Sequence, residues 1–195
     1  MFDFLHISVW GALFALLAGY LIGSIPTGVL VAHLFRAPDP RVTGSTHTGA
    51  SNVFRSAGPV AGALTGAFDF AKGALAVWLV QLIFPSPWVV PLTGAAAVAG
   101  HCWPIFTNFH GGMGVATAAG LAVWQFPIAL PIFAVAYLVV NYVMKHQART
   151  MMLTSAFLPL MLFPFRPTPE KMALAASLAV ILVIRWASDF HRVYD

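Results

Sequence analysis

Gly73-Ala74-Leu75-Ala76-Val77-Trp78-Leu79-Val80-Gln81-Leu82-Ile83-Phe84 opens a long uncharged stretch: no Asp, Glu, Lys or Arg occurs in residues 73–144. A membrane helix needs roughly 20 apolar residues to cross the hydrocarbon, so this stretch has room for about three crossings or more. Only 8% of the chain is charged, whereas 59% is apolar. Soluble domains carry about 25% charged residues, so this composition does not make a soluble surface. The apolar runs are continuous and lack the alternation of barrel strands, which makes the expected class an all-α, polytopic integral membrane protein. Working outward, apolar runs at residues 7–35, 57–84, 89–106, 115–126, 131–144, 150–163 and 172–184 predict about seven transmembrane helices. Length predicts one domain over residues 1–195.

The ends of these runs carry the turn chemistry. Asp3 and His6 precede the first run, with no Lys or Arg before it. That run is about twice the usual ~7–15 residue core of a signal peptide, so it reads as a first membrane helix. Gly23-Ser24-Ile25-Pro26-Thr27-Gly28 would kink it or let a neighbour pack closely, and Ser24 suits packing as well as chemistry. Pro85-Ser86-Pro87 and Pro127 mark turns. Asp69 and Lys72 are three residues apart, share a helical face and read first as a structural pair. Ser155 suits helix packing. Cys102 is the single cysteine, so no intrachain disulfide can form.

Polarity is gathered in one place, Asp39-Pro40-Arg41-Val42-Thr43-Gly44-Ser45-Thr46-His47-Thr48-Gly49-Ala50-Ser51-Asn52-Val53-Phe54-Arg55. This segment has five hydroxyl side chains and two glycines, with Arg36 just before it. A second polar segment, Phe109-His110-Gly111-Gly112-Met113-Gly114-Val115-Ala116-Thr117, has three glycines before an apolar run. Such a backbone can curl and aim N–H groups at an anion from a helix start, although glycine also serves close packing. Lys145, His146 and Arg149 form a third polar group, and Arg185, Asp189, His191 and Arg192 a fourth. With the N-terminus outside, all four fall on one side, and their Lys and Arg excess predicts the cytoplasmic side. Arg166 and Lys171 would then face outward, against the rule. The net charge of +4 reflects this bias, not a nucleic-acid partner.

Arginine forks and backbone N–H groups suit phosphate or carboxylate. The sequence has no Cys/His spacing for a structural metal and no Walker-type loop. Of its seven histidines, His101, beside Gly100 and near Pro104, is the strongest candidate for a role in a site. A small transporter would need charged groups at mid-membrane or paired broken helices related by symmetry, and no half-to-half symmetry stands out.

The segments at 23–28 and 39–55, Asp69…Lys72-Gly73, Gly100-His101…Pro104 and Phe109-x-Gly111-Gly112-x-Gly114-Val115-Ala116-Thr117 together resemble the PlsY family of acyl-phosphate:glycerol-3-phosphate acyltransferases. Arg149…Ser155 resembles a further stretch of that family. The resemblance runs in order over most of the chain. It implies a multi-pass enzyme of the bacterial inner membrane with its site at the cytoplasmic face. It implies transfer of a fatty acyl group from acyl phosphate to the 1-hydroxyl of glycerol 3-phosphate, giving lysophosphatidic acid. No metal or organic cofactor is implied. By position, Ser45, Arg41 and His101 would be catalytic. Asn52, Arg55, Gly111, Gly112, Gly114, Thr117 and Arg149 would bind substrate. The reaction expected is direct acyl transfer, without an acyl-enzyme.

The chain departs from the family pattern at defined points. Gly44-Ser45-Thr46-His47 stands where the family has Gly-Ser-Gly-Asn, and Gly111-Gly112-Met113-Gly114 where it has Gly-Gly-Lys-Gly. Trp186 and Asp189 align with the His and Asn of a C-terminal His-x-x-Asn-Ile-x-Arg-Leu. These changes remove a cation expected to meet phosphate. They admit a site rearranged around His47 or His110, or a degenerate relative with a binding, regulatory or partner role.

Overall fold

The structure, a computed structural model, describes residues 7–192; Asp3, His6 and Val193 lie outside it. Among the described residues the chain forms ten α-helices and no strand. They are α1 (Val9–Gly23), α2 (Thr27–Leu34), α3 (Ala50–Ala57), α4 (Pro59–Ile83), α5 (Val89–Cys102), α6 (Val115–Gln125), α7 (Ala129–Met144), α8 (Gln147–Ala156), α9 (Leu158–Leu162) and α10 (Pro169–Ala187). Val9–Leu34, Pro59–Ile83 and Val89–Thr107 are each long and apolar enough to cross a membrane, and α8 with the helix after it forms a fourth candidate bent by 53°. The sixth apolar run is therefore a broken helix: Pro159, three residues past Ala156 and in the first turn of α9, has no N–H with which to continue the α8 ladder. Helix α6, at 11 residues, covers about 16 Å, roughly half the hydrocarbon thickness.

The packing is that of a membrane bundle. Large apolar side chains such as Leu138 and Tyr142 face outward, 66% and 83% exposed. Inside lie Ala15, Ala61, Ala76, Thr65, Thr93 and Thr117. Lipid gives helices no hydrophobic drive to associate, so close van der Waals packing through small residues must do it. The α1–α5 seam is the clearest case. A Cβ on Gly23 would stand 2.0 Å from the Ala97 carbonyl oxygen, so no larger residue fits without separating the helices. A larger apolar cluster joins Val77, Val98, Leu121, Met151, Leu178, Leu182 and Trp186, tying α4, α5, α6, α8 and α10 together.

The first run is broken where Pro26 interrupts it, between α1 and α2. Lys72 Nζ donates to the Ile25 carbonyl beside the break at 3.2 Å. Asp69 lies 2.9 Å from the same ammonium and accepts from Thr27 Oγ1. Asp69 and Lys72 thus form the structural pair that their spacing suggests, and they serve the broken span.

Candidate active site

Three of the four polar segments meet directly at one end of the bundle, and the fourth is tied to them. Residues 39–49 fold back over α2, where Thr48 rests on Gly28; a Cβ there would lie 1.9 Å from the Thr48 carbonyl oxygen. Asn52, in the first turn of α3, organises this loop. Its Oδ1 accepts from Ser45 N at 3.1 Å, and its Nδ2 faces the carbonyls of Pro40, Thr43 and His47 at 2.8, 3.0 and 2.9 Å. An amide has two donor hydrogens, so one of them is shared. Gly44 has φ +54°, and a Cβ there would meet Asn52 Oδ1 at 2.3 Å. The Asn52 side chain is thus committed to the loop itself.

Arg41 is held within the same loop. Its guanidinium grips Asp39 through Nε at 3.0 Å and Nη2 at 2.6 Å, and Asp39 Oδ1 also accepts from Arg41 N at 2.9 Å. The hydrogen bonds from Arg41 hold the Asp39 carboxyl below its ordinary pKa and raise that of the guanidinium. Arg55 is exposed on α3. Arg149 stacks its guanidinium 4.7 Å above the Phe190 ring and ties α8 to the C-terminal segment.

The 111–114 loop carries the convergence. Gly112 N donates to His101 O at 3.0 Å, and Thr48 N donates to Gly111 O at 3.3 Å. A Cβ on Gly112 would stand 2.1 Å from His101 Nε2, so glycine lets the loop lie flat on the imidazole. His101 is buried, with Nδ1 3.3 Å from Asp69 Oδ1 but outside hydrogen-bond alignment. Gly114 has φ +83° and caps α6. A helix start with this geometry presents first-turn N–H groups to an anion. Thr117 is turned away, its chain packed on Gly73 of α4 and its Oγ1 without a hydrogen-bond partner among the described residues.

Arg185, in the last turn of α10, crosses to this loop. Its Nε donates to Gly112 O at 2.8 Å, and its Nη2 to Gly111 O at 3.2 Å and to His47 Nδ1 at 3.2 Å. Arginine donates only, and each ring nitrogen faces one, Arg192 Nη1 standing 3.1 Å from Nε2; a neutral ring with its hydrogen on Nε2 satisfies Arg185 at Nδ1 and Asp189 at Nε2. Nε2 gives this hydrogen to Asp189 Oδ2 at 2.9 Å. Arg192 Nη1 lies 3.3 Å from the same oxygen. Burial pushes the His47 imidazole below the usual histidine range; Asp189 opposes this, while Arg185 and Arg192 add to it. His110 instead bonds its own turn through Asn108 O at 2.8 Å and is exposed. Among the described residues no three His, Cys, Asp or Glu side chains form a metal-ligand set.

Met113 packs on the cluster that contains Leu182 and Trp186. The two apolar departures therefore share one core, just as His47 and Asp189 share one polar contact. Beside this end runs an apolar cleft of about 70 Å³, lined along α6 and α10 by Val115, Ala118, Ala122, Leu178 and Leu182. It begins where the glycine loop ends, since Val115 follows Gly114 and Leu182 lies one turn before Arg185. The sequence places Arg185 and Asp189 in the fourth polar group, and Asp189 at a departure from the family pattern, but gives neither a role in the site. The available signal was an arginine in the last turn of an otherwise apolar helix.

The fold and site define a helical integral membrane protein whose polar end gathers arginines and a glycine loop beside an apolar cleft. The chain belongs to the glycerol-3-phosphate acyltransferase family, whose profile matches residues 13–195. The glycerol-3-phosphate acyltransferase of Rubrobacter xylanophilus is 44% identical over 124 residues, 63% of this chain and 62% of that protein. That alignment spans less than two thirds of the relative's length. The enzyme of the same name from Syntrophotalea carbinolica is 37% identical over 182 residues, covering 92% of each chain. The crystal structure of PlsY, an integral membrane glycerol 3-phosphate acyltransferase in its glycerol 3-phosphate form, superposes with a TM-score of 0.78. It is 30% identical to this chain, with 93% of this chain and 90% of that one covered.

Proposed function

We infer that the protein transfers a fatty acyl group from an acyl phosphate to the 1-hydroxyl of glycerol 3-phosphate, yielding lysophosphatidic acid and phosphate. It acts as a single transmembrane domain at the cytoplasmic face of a bacterial inner membrane. The observation that carries this reading is the junction of the 111–114 loop, Arg185 and the apolar cleft. A phosphate suits the arginine and the start of α6, and an acyl chain suits the cleft beside it. Family membership supports the acceptor, and the Lys and Arg bias of this end supports the cytoplasmic side.

The reaction proceeds by direct transfer. The glycerol oxygen attacks the acyl carbon, the acyl–phosphate C–O bond breaks, and phosphate leaves with the electron pair. The hydroxyl proton passes to a phosphate oxygen of the substrates. Ser45 fits this scheme as a binding hydroxyl, since among the described residues no imidazole or carboxylate is hydrogen-bonded to its Oγ. Holding both substrates at the interface supplies much of the rate enhancement. Gly111, Gly112 and Gly114 bind the acceptor, and His101 supports the loop from below. Asn52 acts through the loop it organises, and Arg149 through the C-terminal segment. Arg41 and Arg55 remain at the rim as donors for incoming phosphate.

The test is purified protein given glycerol 3-phosphate with acyl phosphate, acyl-carrier-protein thioester or acyl-CoA as competing donors. Lysophosphatidic acid from acyl phosphate is expected. No product from any donor overturns the reading, and an acyl group trapped on Ser45 overturns direct transfer.

A further inference from the structure

The geometry points to His47 as a positioning residue that works with Asp189 to aim Arg185 at the acceptor's phosphate. The inference rests on the acyl-transfer reading for its substrate, but not for its geometry. Three observations carry it. His47 sits on the 39–49 loop, Arg185 on α10 and Asp189 just beyond, so one imidazole joins two distant segments. Its side chain is 14% exposed, and that of Asp189 5% exposed, so solvent competes weakly for these bonds. The bonds also fix each partner in turn. With its hydrogen on Nε2, the ring donates to Asp189 and accepts from Arg185 at Nδ1, while Arg192 Nη1, 3.1 Å from Nε2, pairs with the Asp189 carboxylate at 3.3 Å.

Arg185 has five N–H hydrogens, as every guanidinium does. Nε and Nη2 supply three to Gly112 O, Gly111 O and His47 Nδ1. Those contacts fix the plane of the guanidinium and direct Nη1 away from the three acceptors. Nη1 is then the edge that meets an oxyanion beside the start of α6. Without His47, Arg185 keeps only the Gly111 and Gly112 carbonyls, and reaches the 39–49 loop only indirectly, through the Thr48 N–Gly111 O bond. His47 also stands beside the segment that holds Ser45, so its side-chain contacts, together with the Thr48 N–Gly111 O bond, set the distance between the two halves of the site. His47 and Asp189 are both departures from the family pattern, and the fold brings the two changes into contact. They are one compensated change, not two independent losses.

The test is a double-mutant cycle on the full-length purified protein: His47→Ala, Asp189→Ala and both together. Thermal unfolding reads the contact itself, and steady-state kinetics with glycerol 3-phosphate and acyl phosphate reads its consequence. Losing a buried charge-assisted hydrogen bond corresponds to roughly tenfold or more. Each single change should raise KM for glycerol 3-phosphate about tenfold with a smaller effect on the acyl phosphate KM, and the double change about tenfold, not about a hundredfold. Asp189→Asn keeps an acceptor oxygen and should recover most of the loss. Imidazole ¹⁵N NMR of the wild type should show a neutral ring with the hydrogen on Nε2 at pH about 8, above the ordinary histidine value. Additive melting losses, equal shifts in both KM values, or a hydrogen on Nδ1 overturn the inference. If the wild type makes no lysophosphatidic acid while the melting cycle and NMR hold, the acyl-transfer reading and the aim at its acceptor fail, and the coupled contact stands.

Discussion

Thr46 is the residue at which a local rule is broken. It has φ +61°, a region that β-branched side chains rarely occupy, at the position where the family pattern has glycine. Such strain costs of order 1–3 kcal/mol, and glycine's extra unfolded-state entropy takes back part of any gain. Thr46→Gly should therefore raise stability by about 1 kcal/mol, checked by thermal unfolding in detergent. His47, next to it, makes the pH prediction. Its folded pKa is lowered, chiefly by burial, with Arg185 and Arg192 adding to the effect and Asp189 opposing it. Protonation then favours the unfolded state. The stability it contributes is complete above the unfolded value of about 6.5 and is lost as pH falls through the lowered folded value. The wild type should lose more melting temperature between about pH 7 and 5 than His47→Gln, and equal losses would refute this.

At the scale of elements, the break between α1 and α2 is useful only because α4 completes it. Pro26 interrupts the ladder near the Ile25 carbonyl, and Lys72 fills the opening while Asp69 balances its charge. Both side chains are buried, so removing one leaves the other charged and unpaired in the bundle. Asp69→Ala should cost about 3–5 kcal/mol, whereas Asp69→Leu with Lys72→Met should cost less, because no buried charge remains. Urea or thermal unfolding of both variants decides the point. Glycine loop and α10 are coupled in a similar way by Met113 and Trp186. Met113→Lys alone puts an ammonium against an apolar cluster, so it should lower stability. Adding Trp186→His opens polar space in that cluster and should recover part of the loss. An equal melting temperature for Met113→Lys and wild type would show that the loop side chain escapes to solvent instead.

For the whole molecule, the two amino-acid patterns in the chain had different reach. The uncharged stretch over residues 73–144 and the 8% charged content determined the class by themselves, because hydrocarbon accepts no unsatisfied backbone and few charges. Helix order, the break at Pro26 and the Asp69–Lys72 pair were legible for the same local reason: proline and i,i+3 spacing act within a turn or two. The polar segments were legible as polar. Their partners were not, since contacts such as His47 to Asp189 cross 142 positions and no periodicity encodes them. Asn52 illustrates the difference: sequence position made it a substrate-binding candidate, and the fold commits its amide to the loop that carries Ser45. Arg185 makes the converse point, as a charge at the end of an apolar helix that grips both carbonyls of the glycine loop once α10 packs beside it. Sequence alone therefore determined the solvent this chain folds in and the residues too polar for that solvent. Tertiary structure decided which of them meet, because hydrogen bonds and ion pairs depend on distances of a few ångströms that only packed helices can set.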